Sequence, residues 1–326
     1  MSLSTWSICM STRFPAATAH TDAPIIICDR ARTAALLDFN RLVEAIAQAA
    51  LELAAGQIHS PERMVVPLGE AGVMLSMPAT AQDIGIHKLV NVHPGNTQRQ
   101  LPTIHGAVTL CDAATGQVIC LLDGPELTGR RTAAVTLLAI RTLLKREPRQ
   151  ILLFGTGVQA RYHVQAIHAI YPQSTVWVRG VDAQAASQFC TGNRQLHEHL
   201  EPCGPDIPAE VDVVITLTTS TEPVYNEPAR AGRVVIGVGA FKPEMAELGK
   251  VTLDASDLYA DDPAGARHEA GDLLQAGIDW SRVSSLADAL RKDVDTSRPA
   301  VFKSVGTAAW DLAAARVALQ ALAAGE

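Results

Sequence analysis

The 326-residue sequence predicts an α/β protein in which a mainly antiparallel α+β domain precedes a doubly wound parallel sheet. The first observation is that short alternating apolar runs, separated by turn residues, extend from residue 64 to residue 122, which is typical of antiparallel strands. The second is that short apolar runs alternate with helical patterns after Pro125, which is typical of parallel strands covered by helices on both faces.

The elements of the first domain follow one another closely. An edge strand is predicted at 24–28, and an amphipathic helix at 40–55, because apolar residues recur there at helical spacing and Gly56 follows as a stop. The segment Asp112-Ala-Ala-Thr-Gly116 is predicted to be a hairpin turn. Alternating runs predict further strands at 64–68, 72–77, 85–92, 103–111 and 117–122.

The second domain opens with a predicted helix at 127–145. A second helix is predicted at 158–170, and the alanine-rich helix 307–323 is expected to return to the first domain because a helix this apolar needs a partner. Parallel strands are predicted at 151–154, 175–178, 211–216, 234–239 and 258–260. The predicted organisation is a leader over 1–24, a first domain of 25–125 completed by 307–326, and a parallel-sheet domain over 126–306.

Composition and charge exclude several classes of function. The chain is 48% hydrophobic with a net charge of −7 and no basic run, which argues against nucleic-acid and anionic-membrane partners. No apolar stretch approaches the roughly 20 residues of a membrane span, and the leader lacks the apolar core of a secretory signal. The six cysteines form no CxxC pair, so we expect reduced thiols in a cytoplasmic protein, and no ligand spacing suggests a metal.

A glycine-rich turn follows the strand predicted at 151–154 and precedes a helical pattern. Its first glycine permits a tight turn, its second lets the backbone approach a pyrophosphate, and the alanine lets helix and strand pack closely. The N-terminus of the helix would face the phosphate charge. A dinucleotide site in a Rossmann-type domain is predicted, the alternative being a structural turn. The predicted contacts are Gly155, Thr156, Gly157, Val158, Gln159 and Ala160.

The end of the second parallel strand bears on the choice of cofactor. NAD-specific enzymes are expected to carry an acidic residue there for the ribose. Here Arg179 and Gly180 follow the strand, and no acid occurs before Asp182. Arg179 could contact a 2′-phosphate, the alternative being a solvated arginine. We therefore expect NADPH as the preferred cofactor, with NADH also accepted.

Four cationic residues of the first 150 stand out: Arg63, Lys88, Arg130 and Arg131. Lys88 interrupts an apolar strand, so it lies either on a solvated face or toward an anion. Arg131 lies on a helix of small residues that leads into the parallel-sheet domain. Such a helix packs tightly, so this guanidinium either binds a ligand or forms a salt bridge between the domains.

Several short motifs occur in a characteristic order: Met77-Pro-Ala, Gly85-Ile-His-Lys-Leu-Val, His93-Pro-Gly-Asn, Leu101-Pro-Thr, Leu127-Thr-Gly-Arg-Arg-Thr-Ala-Ala, Gly155-Thr-Gly-Val-Gln-Ala, Glu269-Ala-Gly-Asp and Phe302-Lys-Ser-Val-Gly. With these motifs the sequence resembles the ornithine cyclodeaminase/μ-crystallin family from about residue 25 to the C-terminus. The resemblance implies a parallel-sheet domain that binds NAD or NADP. It also implies a first domain that binds substrate and forms a homodimer.

The resemblance also implies roles for individual residues. Arg63, Lys88 and Arg131 match positions that bind the substrate carboxylate, and Lys88 and Arg131 are the residues expected to carry the catalysis. A planar carboxylate is well bound by arginine together with a lysine charge, so the chemistry agrees. Apolar walls for a small ring are expected from Met64, Met77 and Leu101. Further contacts are expected from Thr103 on the substrate side and, on the cofactor side, from Thr218, Val238, Ser304 and Gly306.

One departure separates the activities of that family. Its cyclodeaminases carry an aspartate where this sequence has Phe241, and an aromatic ring cannot accept a proton. Glu244 or Glu247 could replace that aspartate only if the loop shifted. The expected activity is therefore reduction of Δ1-pyrroline-2-carboxylate to L-proline and of Δ1-piperideine-2-carboxylate to L-pipecolate, with Phe241 as an apolar wall near the nicotinamide. The alternatives are an ornithine cyclodeaminase, an alanine dehydrogenase and a non-catalytic, nucleotide-loaded binding protein of the crystallin type.

Overall fold

A computed structural model describes residues 24–325, so the predicted leader lies outside the described residues except for Pro24. The described chain forms a six-stranded sheet and an eight-stranded sheet. The eight-stranded sheet is parallel throughout, and the six-stranded sheet is mainly antiparallel, as the sequence predicts.

The six-stranded sheet has the order β1-β6-β5-β4-β3-β2. Its strands are β1 Ile26–Ile27, β2 Met64–Leu68, β3 Gly72–Thr80, β4 Ile84–Val92, β5 Ile104–Asp112 and β6 Val118–Asp123. Only the pairing of β1 with β6 is parallel. Because β3, β4 and β5 pair over eight or nine residues each, the faces on which their side chains lie are well defined.

The eight-stranded sheet has the order β13-β12-β14-β11-β10-β7-β8-β9. Its strands are β7 Gln150–Phe154, β8 Thr175–Arg179, β9 Leu200–Pro202, β10 Val213–Thr216, β11 Val234–Gly237, β12 Asp257–Ala260, β13 Val283–Ser285 and β14 Ala300–Lys303. The strand order reverses between β7 and β10, and ligands of doubly wound sheets bind in the crevice at such a point. The glycine-rich turn directly follows β7.

Ten α-helices surround the two sheets in the described residues. They are α1 Arg30–Leu36, α2 Phe39–Ala54, α3 Gly124–Leu144, α4 Val158–Ile170, α5 Ala183–Asn193, α6 Lys250–Asp254, α7 Pro263–Glu269, α8 Gly271–Ala276, α9 Leu286–Arg291 and α10 Ala308–Ala323. Short 3-10 helices occur at Pro94–Arg99, Arg194–Leu196 and Trp280–Arg282.

The C-terminal helix α10 packs against α2, β3 and β4, so the end of the chain lies beside the first sheet. Thr307 caps its N-terminus by accepting the Ala309 amide, and the Thr307 hydroxyl lies 2.7 Å from that of Ser60. Trp310 and Asp311, in the first turn of α10, are fully buried. A helix that is apolar around most of its circumference must be covered on most sides, which explains why α10 lies in the interior.

Candidate substrate and cofactor site

Lys88 projects from the face of the first sheet that also carries Met77. Met77 on β3 pairs directly with Lys88 on β4, so both side chains project from one face. Arg63 immediately precedes β2, whose first residue, Met64, pairs with Ser76 on β3. Lys88 is only 2% exposed, so it does not lie on a solvated face.

Helices α3 and α10 bring two more charges to Lys88. Lys88 Nζ donates to both carboxylate oxygens of Asp311 at 3.0 Å, and Arg131 Nε donates to Asp311 Oδ1 at 2.9 Å. All three side chains are buried. The trio of Lys88, Arg131 and Asp311 carries two positive charges and one negative charge, and it therefore retains a net positive charge for an anionic ligand.

Burial lowers the pKa of Lys88 to about 8. The carboxylate of Asp311 opposes this effect, whereas the positive charges of Arg131 and Arg63 add to it. Lys88 is therefore protonated at neutral pH and loses its charge as the pH rises through about 8.

Arg63 and Arg131 both lie next to the backbone of Gly306. Its Nη2 donates to the Gly306 carbonyl at 2.8 Å and the Val305 carbonyl at 3.2 Å, and pairs with Glu269 Oε2 at 2.8 Å. Gly306 has φ +78°, and a Cβ there would lie 3.0 Å from Arg131 Nη1. Gly306, predicted as a cofactor contact, thus lies between two arginines. We name Arg63, Lys88 and Arg131 the cation cluster.

A buried aspartate that sequence analysis did not identify positions the backbone of this cluster. Asp261 accepts hydrogen bonds from Ser304 Oγ at 2.8 Å, the Val305 amide at 3.0 Å and the Gly306 amide at 2.9 Å. It also accepts from Trp310 Nε1 at 3.2 Å. The predicted cofactor residue Ser304 therefore has its hydroxyl engaged with Asp261, and the segment carrying Gly306 is fixed before any ligand binds.

The glycine-rich turn after β7 fits a dinucleotide. Gly155 has φ +121°, and a Cβ there would lie 2.9 Å from the Leu217 carbonyl, so only glycine is accommodated. Apart from its chain neighbours, no atom of the described chain lies within 4 Å of a Cβ placed on Gly157, which leaves room for a ligand. Gly157 caps α4 without a side-chain hydrogen bond, and Gln159 Oε1 is buried without a hydrogen-bond partner in the described chain. Unpaired groups at a helix N-terminus are suited to a diphosphate.

A second buried carboxylate holds the loops that follow β10 and β11. Glu247 accepts from the Thr218 amide and hydroxyl and from the amides of Gly239 and Ala240, with the hydroxyl contact at 2.8 Å. Burial raises the pKa of Glu247, and the charge of Lys303 opposes that shift. Because its carboxylate is fully buried and bound to two loops, Glu247 is not free to replace the aspartate of a cyclodeaminase.

The loop after β11 carries the remaining candidates for that role. Glu244 is exposed and lies 4.0 Å from Lys242 as an ion pair, and neither side chain joins the cation cluster through this contact. Val238 continues β11, with its amide bound to the Thr216 carbonyl. Phe241 follows the segment held by Glu247 and is 38% exposed, which is unusual for a phenylalanine and leaves its ring open to a ligand.

The predicted apolar walls need correction. Met64 pairs with Ser76, so it lies on the face of the sheet opposite Lys88 and cannot line the same site. The apolar residues next to Met77 on the Lys88 face are Val65 and Leu75, which pair directly. Sequence analysis missed this pair because strand alternation assigns a face only once the register is known.

Two other predicted substrate-side residues and one cation lie away from the cluster contacts. Thr103 and Leu101 are exposed in the segment before β5, where the Thr103 carbonyl accepts the His93 amide. Arg130 stacks over the Phe39 ring at 4.2 Å and donates to the Leu37 carbonyl, so it has a structural role. The part that Thr103 plays in the site stays a prediction.

Arg179 has protein partners at the end of β8. Its Nη2 donates to the carbonyls of Gly204 at 2.6 Å and Pro205 at 3.0 Å, and its guanidinium lies 5.1 Å from the centre of the Phe154 ring. Asp182, the first acid after β8, caps α5 by accepting the Ala185 amide. The carboxylate of Asp182 is therefore engaged in capping α5. The contact of Arg179 with a 2′-phosphate stays a prediction.

The parallel sheet with its glycine-rich turn, together with the mainly antiparallel sheet that carries the buried Lys88, defines an α/β protein of the dinucleotide-binding class. Residues 26–326 match the ornithine cyclodeaminase/mu-crystallin family, and the chain belongs to this family. It is 56% identical over 303 residues, 93% of this chain and 97% of the relative, to a Δ1-pyrroline-2-carboxylate/Δ1-piperideine-2-carboxylate reductase of Azospirillum brasilense. It is 53% identical over 310 residues, 95% of this chain and 99% of the relative, to Δ1-pyrroline-2-carboxylate reductase 1 of Burkholderia multivorans.

Solved structures agree with this assignment. The chain superposes with a TM-score of 0.83 and 25% identity on a Thermococcus litoralis Δ1-pyrroline-2-carboxylate reductase in complex with NADH and L-proline, covering 92% of this chain and 98% of that one. An archaeal alanine dehydrogenase dimer with bound NAD shares the fold, with a TM-score of 0.83 and 23% identity over 92% of this chain and 97% of that one. Within residues 24–325, no helix is long and apolar enough to cross a membrane, and no group of side chains is arranged for a metal.

Proposed function

We propose that this protein reduces cyclic ketimines that carry a carboxylate, converting Δ1-pyrroline-2-carboxylate to L-proline and Δ1-piperideine-2-carboxylate to L-pipecolate with NADPH or NADH. The observation that carries the proposal is the buried pair of cations Lys88 and Arg131, in a chain that has Phe241 where the cyclodeaminases of the family carry a carboxylate. The two reductases from Azospirillum and Burkholderia, more than half identical to this chain, support the same activity.

Substrate binding follows from the charges of the site. Arg131 and Lys88 attract the substrate carboxylate, and Arg63 contributes once the carboxylate competes with Glu269 for its guanidinium. This contact orients the C=N bond, whose carbon lies next to the carboxylate. An iminium is already electrophilic, so holding it in the correct geometry supplies much of the catalysis.

A bound reduced nicotinamide supplies the hydride that converts the C=N carbon to a C–H centre. The ring nitrogen gains a proton, for which Lys88, Thr103 and water are the candidate donors. Phe241 forms an apolar wall that keeps water from the iminium, which favours reduction over hydrolysis. The glycine-rich turn, Thr218, Val238 and Ser304 form the cofactor side of the crevice in this proposal.

The structure of the loops weighs against an ornithine cyclodeaminase. That reaction needs a carboxylate near the imine, but Glu247 is bound to two loops and Glu244 points to solvent. A non-catalytic nucleotide-binding protein is the remaining alternative from another class. Turnover of a cyclic imine with reduced cofactor separates this alternative from the reductase.

We further propose that residues 25–125 and 307–326 form one domain, residues 126–306 a second, and that two copies form a homodimer through the first sheet. Helices α1, α3 and α10 pack on one face of that sheet. The opposite face includes Ile27, Met64 and Val66, which are 68%, 59% and 41% exposed. An apolar sheet face of this kind requires a cover. The five cysteines in the described range are free thiols, which suits the cytoplasmic location that we propose.

The test is a panel of cyclic and acyclic imines assayed with NADPH and with NADH. We expect oxidation of the cofactor with the five- and six-membered cyclic imines and formation of L-proline and L-pipecolate, respectively. L-Ornithine incubated with NAD should release no ammonia above background. Ammonia release at rates comparable to imine reduction would restore the cyclodeaminase, and absence of all turnover would favour the binding protein.

A further inference from the structure

Asp311 is the carboxylate that joins two members of the cation cluster, Lys88 and Arg131. It lies 223 residues from Lys88 in the sequence, yet its two oxygens accept three hydrogen bonds from Lys88 and Arg131 at 2.9 and 3.0 Å. Its side chain is fully buried. The position is rigid because Asp311 lies in the first turn of α10, whose N-terminus is capped by Thr307 and packed on the first sheet.

The charge of Asp311 determines how many positive charges the cluster can hold. Lys88 and Arg131 are buried close together, and like charges at short range without water disfavour the protonated form of the weaker base. Arginine stays charged under all such conditions, so the lysine is the group that would lose its proton. A carboxylate in contact with both cations opposes this loss. With Asp311 ionised, the trio has a net charge of +1, which matches one substrate carboxylate.

The geometry of Asp311 also determines which edge of the Arg131 guanidinium remains available to a ligand. The carboxylate takes Arg131 Nε, while Nη1 and Nη2 lie beside Gly306 at 3.0 and 3.2 Å from the place of a Cβ. Because a guanidinium is planar, fixing Nε fixes the direction of the other two nitrogens. Glycine at 306 leaves the space next to this edge free.

Building on the proposed function, we propose that Asp311 is a positioning residue of the reductase, which keeps Lys88 protonated and orients Arg131 so that the cluster binds a single substrate carboxylate. It contacts neither substrate nor cofactor in this scheme and acts through the two cations. Removing its charge should therefore change the pH range in which substrate binds, and this effect distinguishes it from a residue that only stabilises the fold.

The main test is the pH dependence of kcat/KM in the protein carrying Asp311→Asn, a substitution of the same shape. The charged groups that face Lys88 are Asp311 from α10, Arg131 from α3 and Arg63 before β2. With Asp311 neutral, only positive neighbours remain, so the pKa of Lys88 falls. Activity that depends on protonated Lys88 is present below its pKa and lost above it. The basic limb of the profile should therefore move down by about one pH unit or more.

In the same variant, the KM for the imine should change with pH, whereas the affinity for the cofactor should not. At pH 8 the KM for Δ1-pyrroline-2-carboxylate should rise at least about fivefold, because a pKa one unit lower leaves roughly a tenth of Lys88 protonated instead of about half. At pH 6, where Lys88 regains its proton, the KM should approach that of the unmodified protein. The affinity for NADPH, measured by fluorescence, should change little at either pH.

Asp212→Asn is the matched control. Asp212 is also a buried carboxylate, but it accepts from Arg146 and from the amides of Arg149 and Gln150, at the opposite ends of the parallel strands. The control should lose stability without moving the basic limb of its pH profile.

Binding of L-proline in the presence of NADP+, measured by calorimetry at pH 7 and pH 9, gives a readout that needs no turnover.

An unshifted basic limb in Asp311→Asn, with L-proline bound as in the unmodified protein at both pH values, would overturn the inference. Should Asp311→Asn not fold, Asp311→Glu retains the charge and must keep the original limb, whereas Lys88→Met must lose it. The positioning role of Asp311 is equally refuted if the basic limb of the pH profile moves in Asp311→Glu, or if that limb persists in Lys88→Met. If the unmodified protein reduces no imine, the proposed function fails, and binding of L-proline still tests the charge argument.

Discussion

Arg131→Met is the substitution that tests the carboxylate site most directly. Arg131 is 6% exposed, and it donates through Nε to Asp311 while its other nitrogens lie beside Gly306. Methionine keeps much of the apolar length of the side chain but removes the guanidinium. The trio with Lys88 and Asp311 then falls from a net charge of +1 to neutral, so a substrate carboxylate is no longer attracted to it.

The expected loss can be worked out from the contact that disappears. A hydrogen bond between a buried cation and a carboxylate contributes about 1.5–3 kcal/mol. Applied to the transition state, this corresponds to a fall in kcat/KM of about 10- to 150-fold. The fold should tolerate the change, because Asp311 keeps its two contacts with Lys88 and is not left as an unpaired buried charge.

The assay follows oxidation of NADPH with Δ1-pyrroline-2-carboxylate as the varied substrate, together with fluorescence titration of the cofactor. Arg131→Lys is the control, because lysine keeps the positive charge but lacks the planar guanidinium. Its kcat/KM should lie between that of the unmodified protein and that of Arg131→Met. Cofactor affinity should be nearly unchanged in both variants. The reasoning is wrong if cofactor affinity collapses in Arg131→Met while its kinetics with the imine stay the same.

Three further outcomes are expected. Phe241→Asp should weaken imine reduction by admitting water and a negative charge beside the substrate. It should not create ammonia release from L-ornithine, because a new catalytic group needs neighbouring side chains that hold it in position, and an active cyclodeaminase variant would contradict this. Arg179→Ala should raise the KM for NADPH more than that for NADH, and equal effects on both would remove Arg179 from the 2′-phosphate site. Light scattering at micromolar concentration should show a dimer, and Met64→Glu, on the uncovered sheet face, should favour monomers; a monomeric unmodified protein would refute the proposed interface.

Local patterns in the sequence determined most of the elements and the chemical character of the two sites. Alternation predicted the strands of the first sheet, and helical periodicity predicted α2, α3 and α4, because these signals depend on neighbours a few residues apart. The glycine-rich turn could be interpreted for the same reason, since strand, turn and helix are contiguous. Strands β9, β13 and β14 were missed; β9 and β13 have three residues each, which is too few to show a period.

Only the tertiary structure decided which side chains meet. Asp311, Asp261 and Glu247 organise the cation cluster and the loops of the crevice, but in the sequence they are isolated acids without a distinctive spacing. The face on which Met64 lies depended on a register that no single strand contains. Residue types and local periodicity can be identified directly from the sequence. The contact of the Asp311 carboxylate with Lys88, 223 residues away, depends instead on how the helices and sheets pack.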